Sequence, residues 1–183
     1  MGHRDNLAPE LATPAWEQAL ADLGLVWQPR LSHHHWSRLE GMHPQWHDYS
    51  EVDVVVAVRS FRHQNRQRRQ NYRNKPATKL YNTWLAGVPA ILGQESAFQA
   101  ERRSPLDYLE VQSPEEVLQA LKRLQQQPDL HQAMAERSRL RAAEVAPAAI
   151  TQRWIAFLKE VAVPTYHRWC QLPLSRRRAL LAQ

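Results

Sequence analysis

The sequence predicts an α/β protein: a parallel sheet with helices packed against it, followed by a helical tail. Residues 52–58 (VDVVVAV) form a β-branched, nearly continuous apolar run, the pattern of a strand buried on both faces of a parallel sheet. Strand-like and helix-like segments alternate up to about residue 126 and helices follow, which is the element order of an α/β domain. The chain has 183 residues, 43% hydrophobic and 23% charged, enough for one domain with its own core.

The elements follow in order. Residues 14–23 predict a helix, with Trp16, Ala19, Leu20 and Leu23 at helical spacing and Gly24 as its C-cap. Residues 25–28 predict a short strand. Residues 29–44, rich in His and Trp, have no clear period and read as loop with room for one helical turn. The strand at 52–58 ends at Arg59. Residues 76–86 predict a helix carrying Leu80, Trp84 and Leu85 on one side, with Gly87 as terminator. Buried strands are expected at 89–92 and 108–111 (YLEV). Ser113-Pro114-Glu115-Glu116 is a helix start, with a Ser N-cap, Pro at the first position and Glu three residues after the cap. Val117, Leu118, Leu121 and Leu124 form that helix's apolar stripe. Further helices are expected at about 129–144 and 148–161, where Pro164 ends the pattern, and a last basic helix ends in Ser175-Arg176-Arg177-Arg178. The domain boundary implied is 1–162 for the α/β domain and 163–183 for the basic tail.

Composition narrows the function classes. Lys and Arg number 24 against 18 Asp and Glu, a net charge of +6, which suggests a polyanionic partner. The five glycines are too far apart for G-x-G-x-x-G or a P-loop. A single cysteine, Cys170, rules out an internal disulfide and a multi-cysteine zinc site. With no apolar signal segment and no run near the roughly 20 residues of a membrane span, the expected setting is cytoplasmic.

The candidate chemistry lies after the 52–58 strand. Open α/β sheets bind ligands beyond the carboxyl ends of their strands. From Arg59 to Lys79 the chain carries Arg59, Arg62, Arg66, Arg68, Arg69, Arg73, Lys75 and Lys79 with no acidic residue among them. The helix beginning near Pro76 turns its free N–H groups and positive dipole end to the same side, with Thr78 and Lys79 in its first turn. These are the parts of a diphosphate site. The alternative for such a run is a solvated loop.

The stretch 74–91, NKPATKLYNTWLAGVPAI, resembles the nucleotide-sugar-binding segment of GT-B glycosyltransferases, a helix–turn–strand with a K-(x)-E-A-x-A-x-G-x-P-V-V-like pattern. Tyr108 to Ser113, Pro114-Glu115-Glu116, Pro128-Asp129-Leu130 and the helix with Trp154 are similar to the remainder of that family's C-terminal domain. Gly2-His3-Arg4-Asp5-Asn6-Leu7 looks like the loop after its first strand. The resemblance spans roughly residues 2–160 and implies a Rossmann-like donor-binding domain, a single GT-B half lacking most of its first strand and the whole acceptor domain. It implies that Arg4, Lys75, Thr78 and Lys79 contact the donor diphosphate, with Arg59 added on position, and that Asn74 and Asn82 face the sugar and ribose. Many retaining members carry two glutamates eight residues apart at these last two positions; Asn hydrogen-bonds a hydroxyl but supplies no negative charge. The implied activity is hexosyl transfer from a nucleotide-diphospho-sugar once an acceptor domain or partner chain completes the site, with no cofactor or metal. A degenerate, non-catalytic domain is a further reading of the two asparagines.

Other features compete. A basic nucleic-acid-binding module would use the Arg-rich loop 59–75, with Tyr72 stacking on a base. His33, His34, His35, His43 and His47 invite a metal reading, but Pro44 and the adjacency of the first three oppose it; His47-Asp48 lacks a nucleophile. Trp16, Trp84 and Trp154 have core spacing. Arg176 to Arg178, beside Leu172, Leu174, Leu180 and Leu181, suggest peripheral contact with an anionic membrane, against an ordinary solvated helix end.

Overall fold

The computed structural model describes residues 2–3, 6–29, 31–32, 48–62 and 72–181. It is a mixed α/β structure, and the chain divides into two compact units, Met1–Ala142 and Ala143–Gln183, a division that falls earlier than residue 162.

Unit one opens with strand β1 (Gly2–His3), a 3-10 turn (Pro9–Ala12) and helix α1 (Pro14–Ala21). Thr13 caps α1: its side-chain oxygen accepts from the Trp16 amide at 3.1 Å. Trp16 and Leu20 are its buried residues. Strand β2 (Leu31–Ser32) pairs parallel with β1, Gly2 opposite Leu31. Residues 25–28, expected as a strand, are irregular. Among the described residues Val26 and Trp27 make no backbone hydrogen bond, so the segment has the composition of a strand without a neighbour.

Strands β3 (Val55–Ala57), β4 (Ala90–Gly93) and β5 (Leu109–Val111) form a three-stranded parallel sheet in that order. Helices α2 (Thr78–Ala86), α3 (Ser96–Glu101), α4 (Pro114–Gln126) and α5 (Pro128–Val145) connect and flank it. The 52–58 run is laddered only at its centre. Gly87, at φ 68°, ends α2 in the left-handed conformation that glycine adopts without cost. Leu80 and Trp84 of α2 are buried as expected, whereas Leu85 is 51% exposed and Thr83 is fully buried in its place. Ser113 caps α4, accepting from the Glu116 amide at 3.2 Å, while the Glu116 carboxylate accepts from the Gln112 amide. Helix α3 is short and had no sequence signal.

One apolar cluster ties these elements together: Leu11, Trp16 and Leu20 meet Val58, Ile91, Val111, Val117, Leu121, Leu124 and Met134. A polar lock fixes α2 against α5. The Arg141 guanidinium, 1% exposed, lies 4.1 Å from the Trp84 ring centre, donates to Asp107 at 3.1 Å and donates to the Glu101 carbonyl. Arg137 donates to the other Asp107 oxygen at 2.8 Å. Burial acts to raise the Asp107 carboxyl. The hydrogen bonds from Arg137 and from the Arg103 and Ser104 amides, with the charge of Arg141, outweigh it and hold the group below its ordinary value.

Unit two contains α6 (Pro147–Phe157), a π-helical turn (Leu158–Ala162), α7 (Val163–Gln171) and α8 (Leu174–Leu181). Pro164 does not end the helix. The Val163 amide bonds the Leu158 carbonyl five residues back, and this wider turn delivers the chain to Pro164 at the start of α7, where a missing N–H is tolerated. Trp154, expected in the core, is 60% exposed. Arg177 donates to the Leu172 and Cys170 carbonyls at the end of α7 and lies over Trp169. No helix among the described residues is long and apolar enough to cross a membrane.

Candidate functional site

The carboxyl ends of β3 and β4 lie side by side in the parallel ladder, with Ala57 opposite Leu92 and Gly93 closing β4. A Cβ built there would stand 3.0 Å from a Val58 methyl, so any side chain at this position would make Val58 give way. Arg59 follows Val58 and Glu95 follows Gly93 by two residues. Their side chains meet, Arg59 Nε standing 3.3 Å from Glu95 Oε1, with the two side chains 10% and 1% exposed. Among the described residues neither Glu95 oxygen has a hydrogen-bond donor, so this contact is an ion pair without aligned hydrogen bonding. Burial raises the Glu95 carboxyl, against the pull of Arg59, Lys79 and Lys75.

Lys79, in the first turn of α2, enters the same space. Burial lowers its pKa from 10.5 to about 8, aided by repulsion from Arg59 and Lys75 and opposed by the attraction of Glu95. No carboxylate among the described residues forms a salt bridge with it within 4.0 Å. Helix α2 begins without a side-chain cap, since Ala77 precedes it, so its first amides carry their partial charge uncovered. Lys75 is brought in by a turn in which its amide donates to the Tyr72 carbonyl at 2.8 Å. Tyr72 holds φ 52°, a left-handed conformation unusual for a residue with a side chain, and its ring lies 5.9 Å below the Arg59 guanidinium.

Of the residues expected at the site, Arg59, Lys75 and Lys79 act electrostatically on one shared carboxylate, Glu95. Thr78 is exposed on the first turn of α2, and Asn74 is exposed in the preceding turn. Asn82 hydrogen-bonds the Tyr49 hydroxyl, a group that burial pushes upward. Arg62 departs from the cluster to Glu10, Nε to Oε1 at 3.4 Å, on the surface. Arg4, the arginines 66, 68 and 69 and the five histidines lie outside the described residues. Tyr72, proposed to stack on a base, is 5% exposed beneath Arg59 and has no open face for that purpose. Glu95 was not anticipated; it sits just past the carboxyl end of the 89–92 strand, so the strand-end rule that singled out Arg59 would have found it. The site supplies three cations, one buried carboxylate and an uncapped helix start, which suits a compact multivalent anion.

No protein-family model, no curated protein and no solved structure matches this chain.

Proposed function

We propose that the chain is a nucleotide-diphospho-sugar-binding domain of the GT-B glycosyltransferase type, with the donor diphosphate held by Arg59, Lys75 and Lys79 at the start of α2. The observation that carries this is that Arg59, Lys75 and Lys79 all act on one buried carboxylate, Glu95, the one counter-charge among the described residues that acts on Lys79. A diphosphate offsets the mutual repulsion, restores Lys79 to full protonation and accepts from the uncapped amides of α2. Thr78 adds a hydroxyl, Asn74 and Asn82 face the sugar and ribose, and Arg4 completes the cradle. Such a cradle stabilises a leaving diphosphate whose charge grows as a glycosidic bond breaks. The acceptor side and any catalytic base belong to another domain or chain, so the domain binds the donor and turns it over only when completed.

Thermal melting with inorganic pyrophosphate and with uridine, guanosine and adenosine diphosphates tests the reading. Pyrophosphate should raise the melting temperature in a saturable way, and one nucleotide should exceed it. Lys79→Ala should remove the shift, and Arg62→Ala, on the surface beside Glu10, should preserve it. Affinity should weaken above pH 8 as Lys79 loses its proton. A shift that survives Lys79→Ala refutes this placement. Nucleic-acid binding that falls steeply with salt, with no diphosphate effect, would favour the basic-module reading instead.

A further inference from the structure

Arg59 is engaged by an anion of the protein's own. Glu95 occupies the cap position of α3, yet its carboxylate bonds none of that helix's amides and turns to the end of β3 instead. The residue is 1% exposed, and neither of its side-chain oxygens has a hydrogen-bond donor among the described residues. Arg59 Nε, the atom 3.3 Å away, has no hydrogen-bond acceptor either. The pair is thus buried on charge attraction alone, without the hydrogen bonds that ordinarily offset the desolvation of two ions. Two further cations act on the carboxylate, Lys79 from α2 and Lys75 from the turn ahead of it. Glu101, the charged residue of α3 itself, is turned to Arg141 and Tyr81.

A ligand phosphate meets this pair before it meets a free guanidinium. The Arg59 side chain is 10% exposed and lies over the Tyr72 ring, so a phosphate brought to it arrives beside a buried carboxylate. Two anions in one buried place disfavour each other's charge, and the weaker acid of the two neutralises by binding a proton. A diphosphate bridging a nucleoside and a sugar is a far stronger acid than a carboxyl, so the proton goes to Glu95. The surroundings favour this. Burial already raises the Glu95 carboxyl, and Arg59 is the largest of the attractions that oppose the rise. Drawing Arg59 away leaves only Lys79 and Lys75, on which the ligand also draws.

We propose that Glu95 competes with the ligand's phosphate for Arg59, and that the phosphate gains the guanidinium as the Glu95 carboxylate takes up a proton from solvent. One O–H bond forms on the carboxyl and no bond of the protein or the ligand breaks. The protonated carboxyl then has a hydrogen to donate to a phosphate oxygen, which the carboxylate could only repel. Glu95 is in this way a built-in brake on the anion site, released by acid. Affinity therefore falls as pH rises, and does so already below pH 8, where Lys79 keeps its proton. The inference rests on the donor reading of this site and adds its regulation.

Titration calorimetry of the full chain with inorganic pyrophosphate at pH 7, in buffers of different ionisation enthalpy, counts the protons bound. Pyrophosphate's own titration is common to every form, so the native chain is compared with Glu95→Gln, which keeps the shape and removes the carboxylate. The native chain should take up about one proton more per pyrophosphate than Glu95→Gln. Glu95→Gln should bind pyrophosphate about tenfold tighter or more, the factor of at least one unit of relieved competition. The variant leaves Arg59 unbalanced and is used only where its melting transition shows it folded. The native chain decides the matter without it: in infrared difference spectra, pyrophosphate should make a protonated-carboxyl band appear as a carboxylate band is lost. Equal proton uptake by the two forms, weaker binding by a folded Glu95→Gln, or no new carboxyl band in the native chain overturns the inference and leaves the donor reading standing. No pyrophosphate binding by the native chain or the variant overturns both.

Discussion

Holding the Lys79 ammonium where burial and Arg59 lower its pKa to about 8 works against the folded state at neutral pH. Between about 8 and 10.5 the unfolded chain binds more protons at this group than the folded one, so its contribution makes stability rise with pH through that window. Below pH 8 both states are protonated and the full penalty remains. Lys79→Met keeps an unbranched apolar stem and removes the charge. It should therefore stabilise the unliganded protein by roughly 1–3 kcal/mol at pH 7, an advantage that shrinks as pH rises above 8. Urea unfolding of both forms at pH 7 and pH 9 measures it. A variant less stable than the parent at pH 7 would mean that Lys79 serves the fold. Arg59 differs, because Glu95 at 3.3 Å balances it, and removing either partner leaves a buried charge alone.

At the level of elements, the site depends on how closely β3 and β4 end. Gly93→Ala would press a methyl against Val58 at 3.0 Å. The Val58 side chain must then give way, with a cost of about 1–3 kcal/mol typical of overpacking, and the neighbouring Arg59 shifts relative to Glu95. The expected outcome is a lower melting temperature together with weaker pyrophosphate binding, read in the same melts; unchanged binding would show that the spacing does not matter. Much of this architecture could be read from the chain. The strand around 55–57 is signalled by its β-branched run, those around 90–93 and 109–111 by short apolar segments, α4 by its capping box and α2 by its Pro-start and Gly-stop. The cations were legible because strand end and helix start bracket them. What escaped is non-local. Residues 25–28 and 52–54 have strand composition, yet a ladder needs a neighbour that composition does not supply. Leu85 and Trp154 had helical spacing, but the side a helix buries is decided by what packs on it. Asp107 and Arg141 are 34 residues apart and pair only in the folded chain. Glu95 meets Arg59 only because β3 and β4 end side by side.

For the whole molecule, the contrast is between a unit with a core and one without. Unit one buries Trp16, Trp84, Tyr108, Phe98 and Ile91 at 4% exposure or less. In unit two no residue of α6, the π turn or α7 is buried, and Trp154, Phe157, Val161 and Tyr166 are each at least 47% exposed. Helices in water draw most of their stability from a packed apolar face, and local opening is easiest where that packing is absent. Native-state hydrogen exchange should accordingly divide the chain. Amides of α2, α4 and the β3–β5 sheet should exchange only through global unfolding, and those of residues 147–171 should exchange orders of magnitude faster. On heating, part of the far-ultraviolet helix signal should be lost before the near-ultraviolet signal of the buried Trp16 and Trp84. Uniform protection across both units, with one shared transition, would mean that the exposed face of unit two is covered in solution, and the search for its cover would then begin with Trp154 and Tyr166.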